Sequence, residues 1–239
     1  MASQHKFLYV LALLIAGLRI AMAGDPDITT DFVVPSNIVN VTSNLFTFTG
    51  MRAIINAPPP AAFKVSKASM AEFPALKGQS VSYAVLQYPA GTVNPPHIHP
   101  RGSELLIVFL GCLEVGFVDT TNKLFTQTLQ QGDMFVFPKG LVHFEYNSAA
   151  KTPVLAISAF GSASAGTVSV PTAIFNTSIS DNILAKSFKT DIMSLATELA
   201  IAGRRRRHGK ERSENHCQRR RQALVGATAT MSGSWSVKP

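Results

Sequence analysis

Residues Gly91–Gly111, GTVNPPHIHPRGSELLIVFLG, carry the clearest structural and chemical pattern in this chain. His97 and His99 lie one residue apart, so both side chains point to one face if the segment is extended. The two prolines before His97 favour an extended backbone and disfavour a helix. Glu104 then precedes an apolar run that is typical of a buried strand. Two imidazoles and a carboxylate facing inward from a sheet suit a divalent transition metal.

A second stretch, Gly132–Asn147, supplies one more histidine after a Pro138-Lys139-Gly140 turn. An HxH pair alone is a weak indication of a metal site, but a carboxylate at fixed spacing and a third histidine strengthen it. We therefore predict one metal site with these ligands: His97, His99, Glu104 and His143. Nitrogen and oxygen ligands without thiolate fit manganese or iron better than a structural zinc site. Ligand type alone leaves zinc and copper open.

Short β-prone runs, separated by turn residues, fill the middle of the chain without a helix between them. The predicted strands are Ser80–Leu86, Leu105–Leu110, Leu113–Val118, Leu124–Leu129, Met134–Phe137 and Val154–Phe160. Strands at this spacing predict an all-β fold, built as an antiparallel sandwich or barrel.

The barrel is assigned to residues 76–163. The segments before and after it differ from it, and from one another, in composition. Residues 24–75 are rich in Pro, Asn, Thr and Ser and predict an extended N-terminal arm, with one or two short strands, that packs on the barrel. Residues 164–202 predict a linker and one or two C-terminal α-helices, since apolar residues recur at helical spacing after Asp181. Residues 203–239 are first Arg-rich and then rich in Ala, Thr, Ser and Gly, which predicts a disordered basic tail.

Residues 1–23 are typical of a secretory signal peptide. Phe7–Gly17 is an apolar run, and Ala21-Met22-Ala23 forms a small-x-small cleavage site. The run is too short to span a bilayer and is followed by Arg19, so no membrane span is expected. A secreted chain makes two sequons, at Asn40 and Asn176, candidate glycosylation sites.

A net charge of +8 can indicate a nucleic-acid partner, so the position of the basic residues along the chain matters. From Gly203 onward, ten Lys or Arg and two Glu residues account for all of it, so the first 202 residues sum to zero. A basic tail behind a secretory signal does not favour nucleic-acid binding, and no such partner is expected. The two cysteines, Cys112 and Cys217, lie in a core region and in this tail, so an intramolecular bridge is not expected.

Both characteristic motifs of the cupin superfamily can be read in the chain. The first, G(X)5HXH(X)3-4E(X)6G, and the second, G(X)5PXG(X)2H(X)3N, match at every fixed position. Those positions are Gly91, His97, His99, Glu104 and Gly111, then Gly132, Pro138, Gly140, His143 and Asn147. The spacer of twenty residues, the sequences PPHIHPR and LEVGF, and Asp-Pro-Asp after the signal resemble a plant germin-like protein over roughly residues 1–195.

This resemblance implies a cupin jelly-roll β-barrel with manganese held by His97, His99, Glu104 and His143. It also implies a secreted glycoprotein of the extracellular space, apoplast and cell wall. Its expected assembly is a homo-oligomeric hexamer, built as a trimer of dimers, in which the C-terminal helices clasp the neighbouring subunit. Whether helices that end near Ala202 suffice for that assembly is left open.

The chain also departs from the germin pattern. No cysteine precedes Cys112, so the arm is expected to be held by packing alone, as in the cysteine-lacking germin-like subgroup. Oxalate oxidases of the family use two asparagines near the metal. Asn94 matches one and is the candidate substrate-binding residue, whereas Ala84 stands at or near the other. The tail from Gly203 has no counterpart in the family, and it is either a functional segment or the product of a misread exon boundary.

Three interpretations of function follow. The first is a manganese oxidoreductase of superoxide dismutase type, because this reaction needs a redox-active ion and little substrate recognition. Oxalate oxidation is less favoured, because one of the two amides is missing. The second is a non-catalytic cell-wall, receptor or storage-type protein, a nutrient reservoir, stabilised by the metal. The third, a nucleic-acid-binding protein, depends only on the tail. No catalytic residue is assigned beyond the metal site.

Overall fold

The computed structural model describes residues 25–54 and 57–191. The predicted signal peptide (1–23) and the predicted basic tail (203–239) lie outside the described residues. So does the second half of the predicted helical region.

Ten strands and two α-helices make up the regular structure of the described part. The strands are β1 (Lys64–Ala68), β2 (Ser82–Tyr88), β3 (Val93–Ile98), β4 (Glu104–Leu110), β5 (Cys112–Val118), β6 (Leu124–Gln130), β7 (Met134–Phe137), β8 (Val142–Tyr146), β9 (Val154–Phe160) and β10 (Val168–Ser169). The helices are α1 (Val170–Phe175) and α2 (Asp181–Ser187), and short 3₁₀ turns span Ser43–Phe46, Gly50–Ala53 and Pro74–Leu76.

The strands form two antiparallel five-stranded sheets. The first has the order β1-β2-β9-β4-β7 and the second β10-β3-β8-β5-β6. Burial alternates along most of them, as in β2, where Ser82 and Ala84 are buried and Tyr83 between them is exposed. The all-β antiparallel class predicted from the sequence is therefore confirmed.

The hydrophobic core lies between the two sheets. It contains side chains from both, with the first sheet supplying Leu86, Tyr88, Leu106, Val108, Phe137, Val154 and Ala156 and the second supplying Leu113, Val115 and Leu129. Because side chains from both sheets point into this core, residues on strands of different sheets can come into contact there. His97, His99 and His143 meet Glu104 in this way.

The structure gives bounds to strands that the sequence patterns left out or did not place. β1 lies within the predicted arm, where one or two short strands were expected without bounds, and it pairs with β2 along its whole length, from Lys64↔Gln87 to Ala68↔Tyr83. β8 and β10 also form ladders with β3. After β10, helix α1 begins with Ser169 as its cap, because the Ser169 side chain accepts from Thr172 N.

Cys112 opens β5 and is disulfide-bonded, with its partner outside the described residues. The expectation that the chain forms no intramolecular bridge is therefore wrong. Neither described helix has the length and apolar character that crossing a bilayer would need.

Candidate metal centre

His97 and His143 face each other across two neighbouring strands. They are direct register partners in the β3–β8 ladder, and their ring centroids lie 4.1 Å apart. Only 2% of His97 and 1% of His143 is exposed. The ladder therefore brings together two histidines that are 46 positions apart in sequence.

A bulge in β3 places Asn94 on the same side as His97. Asn94 pairs with Glu145 and His97 with His143, so β3 holds one extra residue between these pairs. Pro95 and Pro96 occupy this irregularity, where the missing backbone N–H is tolerated. Asn94 Nδ2 consequently lies 3.5 Å from His97 Nε2, although residues three apart on a regular strand point to opposite faces.

Glu104 reaches the same point from the other sheet. It is the first residue of β4 and is 2% exposed. Its Oε2 lies 3.1 Å from His99 Nε2 and 3.3 Å from His143 Nε2, while Oε1 accepts a hydrogen bond from Ser158 Oγ of β9. One ligand atom from each of His97, His99, Glu104 and His143 lies within 4.8 Å of the others.

The outer ring nitrogen of each histidine is occupied by a backbone carbonyl. Nδ1–H of His97 donates to Pro95 O at 2.9 Å, that of His143 to Leu141 O at 2.8 Å, and that of His99 to Gly166 O. This arrangement assigns the proton to Nδ1 and leaves the Nε2 lone pair facing inward. Three lone pairs and a carboxylate that face one another need a cation between them, so the donor set fits a metal ion.

The protonation states suit the same role. Burial lowers the pKa of His97 to about 4, and His143 beside it adds to the effect, so His97 is neutral at neutral pH. Burial raises the pKa of Glu104, but the adjacent rings of His143 and His99 and the Ser158 hydroxyl outweigh this and lower it to about 2. Ligands must be deprotonated before they can bind a metal, and these groups already are.

One side of the cluster opens into a cavity of about 260 Å³. Asn94, His97, His99 and Glu104 form part of its wall, and Ala84 and Phe160 line it as well. Lys67 is exposed and lies at the same cavity. A small molecule entering there can reach the metal-facing atoms, which leaves room for a substrate beside the four protein ligands.

Glu145 and Tyr88 are polar neighbours of the site that the sequence patterns missed. Both are fully buried, and the Tyr88 hydroxyl, the Glu145 carboxylate and the Asn94 amide lie within interaction distance of one another. Burial, followed by the charge of Glu104, raises the pKa of Glu145 well above its usual value. The available signal was spacing, because Glu145 follows His143 by two residues and so shares its inner face.

The other predicted site residues lie apart from this cluster. Asn40 and Asn176 are exposed, as are Thr42 and Ser178 of the same sequons. The structure thus brings together the four predicted ligands and Asn94, and it leaves both sequons at the surface.

Comparisons with known proteins agree with this geometry. The family model described as Cupin matches residues 55–193. Germin-like protein 9-3 of Oryza sativa subsp. japonica is 59% identical over 202 residues, which covers 82% of this chain and 94% of that protein. Putative germin-like protein 9-2 of the same organism is 58% identical over 193 residues, covering 79% and 90%. A solved oxalate oxidase structure is similar with a TM-score of 0.63 and 28% identity, covering 72% of this chain and 95% of that one.

Proposed function

The chain belongs to the germin-like branch of the cupin family, and on this basis we propose that it is a secreted manganese protein with superoxide dismutase-type activity. The family resemblance and the jelly-roll fold expected from the sequence are confirmed. The observation that supports the proposal most directly is the set of three inward Nε2 atoms and the Glu104 carboxylate beside an open cavity.

The ligand chemistry supports manganese. Three imidazoles and one carboxylate, without a thiolate, suit a divalent ion that prefers nitrogen and oxygen. When bound, manganese supplies reversible one-electron chemistry. The chain contributes the ionised Glu104, the neutral His97 and a cavity on one side of the ion.

Dismutation fits what this cavity offers. The reaction converts two superoxide ions and two protons into dioxygen and hydrogen peroxide, so the substrate is a small anion. The exposed Lys67 lines the cavity and contributes positive charge that attracts an anion. The Asn94 amide lies beside His97 and can donate a hydrogen bond to a small oxygen species.

Oxalate oxidation is less well supported, although solved oxalate oxidases are similar in fold. The second amide expected for that reaction is absent, because Ala84 is 2% exposed and presents only a methyl group to the cavity. A dicarboxylate would then be oriented by Asn94 alone.

The proposal extends to glycosylation and assembly. Both sequons are exposed, which is what attachment of a glycan at Asn40 and Asn176 requires. The outer face of the first sheet carries a row of apolar residues across four strands, through the pairs Tyr83↔Ala159, Ala159↔Leu105 and Leu105↔Val136. An uncharged row of this extent suits burial against another copy of the chain, as in the expected hexamer.

The test uses protein secreted from a eukaryotic host, with metal analysis and parallel assays of superoxide and oxalate. The expected result is about one manganese per chain with superoxide activity and little oxalate turnover. His97→Ala is expected to remove both manganese and activity. Stoichiometric manganese with neither activity would instead support the non-catalytic wall or storage role.

A further inference from the structure

We propose that Asp25, at the start of the described arm, is a positioning residue of the metal centre. It acts through residues 161–167, which join β9 to β10 and are called the clamp loop below. The inference rests on the proposed metal site, and it adds a residue that is 137 positions from its contact in the clamp loop.

The Asp25 carboxylate binds the clamp loop with both oxygens. Oδ1 accepts from Ser162 Oγ at 2.5 Å and Oδ2 from Ala163 N at 2.6 Å. Ser162 is 0% and Ala163 1% exposed with Asp25 in place, so the Asp25 carboxylate shields both donors from water. Ser162 Oγ in turn accepts from Ser164 N at 3.0 Å, which extends the contact along the clamp loop.

The clamp loop behaves as one unit because five consecutive carbonyls, Ser162 to Gly166, each accept a hydrogen bond. In the order of these carbonyls, the donors are Ser82 Oγ, Met70 N, Arg101 Nε, Arg101 N and His99 Nδ1. A shift at the Asp25 end therefore strains bonds along the whole loop.

The last of these bonds reaches the metal centre. The Gly166 carbonyl accepts from His99 Nδ1 and so fixes the ring whose Nε2 lies 3.1 Å from Glu104 Oε2. Gly166 has a φ of +73°, and Arg101 Nη2 lies 2.6 Å from where a Cβ on Gly166 would stand. This position in the clamp loop therefore requires glycine, because a side chain would meet both the left-handed backbone and the Arg101 guanidinium.

Loss of the Asp25 carboxylate leaves the Ala163 N–H and the Ser162 hydroxyl without an acceptor in a buried place. The clamp loop must then move to find other partners, and His99 loses its fixed orientation. Changing a group that orients a metal-binding histidine typically weakens metal binding about 10–100-fold. Because Asp25 acts through the clamp loop, we expect the lower end, about tenfold weaker manganese binding, for Asp25→Ala.

The experiment measures manganese affinity of the full secreted protein by competition with a chelator, together with the electron paramagnetic resonance spectrum of bound Mn²⁺. Asp25→Ala is expected to weaken binding and to alter the spectrum, since the ligand field changes when His99 turns. Asp25→Asn keeps one acceptor oxygen and is expected to fall between Asp25→Ala and the wild type.

Two controls separate positioning from general effects. Asp27→Ala removes the same charge from an exposed residue of the same arm and is expected to bind manganese as the wild type does. Val154→Ala removes buried core volume at the opposite end of β9, so it lowers the melting temperature without touching the clamp loop. It is expected to keep the wild-type spectrum.

The outcomes distinguish the two proposals. If the wild type binds manganese and both Asp25→Ala and Asp25→Asn match its affinity and spectrum, the role of Asp25 is overturned. The proposed function would then still stand. Equal losses of affinity in Val154→Ala and Asp25→Ala would also overturn that role, because the loss would then follow from lower stability. Wild-type protein that binds no manganese would overturn the proposed function and this inference with it.

Discussion

Glu104 joins the two sheets at the metal centre. It comes from β4 of the first sheet, whereas the histidines come from β3, β8 and the residue after β3. One carboxylate oxygen faces two imidazole nitrogens, and the other accepts from Ser158. A buried carboxylate is stable only when it is paired, and its neighbours here are lone pairs that need a cation. The carboxylate and the imidazoles are therefore explained together by a metal ion.

Glu104→Gln is expected to weaken manganese binding by at least about 100-fold, because a direct ligand matters at least as much as the groups that orient ligands. Glutamine keeps the shape but removes the charge and turns one acceptor into a donor. Metal content after dialysis and a chelator competition measure the loss. Glu114→Gln makes the same change on β5 and should retain manganese. Full manganese in Glu104→Gln would exclude Glu104 as a ligand.

Ala84→Asn tests why the chain is not expected to oxidise oxalate. The change places an amide in the wall of the cavity, where a methyl group now stands. Two amides orient a dicarboxylate better than one, so oxalate oxidation should rise by about 10-fold or more, the value of one well-placed hydrogen bond to a charged group. Ala84→Leu matches the added volume without the amide and should not raise it. Equal oxalate rates in both variants would show that the missing amide is not what limits the reaction.

The strands show which parts of the fold were predictable. β7 and β9 have the bounds predicted from their apolar runs, and β4 and β5 differ by one residue at the start. β8, VHFEY, was not predicted as a strand because its inward positions carry His143 and Glu145 instead of apolar side chains. β1, KVSKA, was expected only as an unplaced short strand of the arm, because an edge strand with exposed lysines has a weak apolar pattern. Functional polarity and edge position thus hide strands from a hydrophobic pattern.

The candidate metal site, like the fold, was predictable from the sequence only in part. Spacing within each segment, and then the family motifs, were enough to predict four ligands, because the motifs encode them directly. The contacts that orient those ligands were not predictable, since they join distant residues: Gly166 to His99, Ser158 to Glu104, and Asp25 to Ser162. Strand pairing and loop conformation decide these contacts, and neither can be read from one segment.

Gly116 on β5 shows how closely the second sheet is packed. A Cβ there would lie 2.8 Å from Phe144 Cζ and 2.9 Å from Thr126 Cγ2, on the two neighbouring strands. Gly116→Ala should therefore lower the free energy of unfolding by about 1–3 kcal/mol, the usual cost of overpacking. Denaturant unfolding measures this loss. Adding Phe144→Leu removes the ring and should recover part of it, so a double variant with strictly additive losses would exclude the clash as the cause.

An apolar surface extends across the outer face of the first sheet. Tyr83, Leu105, Met134 and Val136 are each more than two-fifths exposed, and strand pairing makes them neighbours. Apolar area of this kind is uncommon on a soluble monomer and is typical of an interface. The inner face of the same sheet carries Glu104, so the proposed interface and the metal site lie on opposite faces of one sheet.

Val136→Asp is expected to break the assembly and to leave the metal site intact. The residue is 55% exposed and lies opposite Leu105, so an aspartate would place a charge within the proposed interface. Light scattering after size exclusion should give a hexamer for the wild type and a smaller species for the variant, with equal manganese per chain. Gln127→Asp puts the same side chain on exposed β6 of the other sheet and should remain hexameric. A hexamer in Val136→Asp would place the subunit contacts elsewhere, whereas loss of manganese in it would mean that assembly and the metal site are coupled.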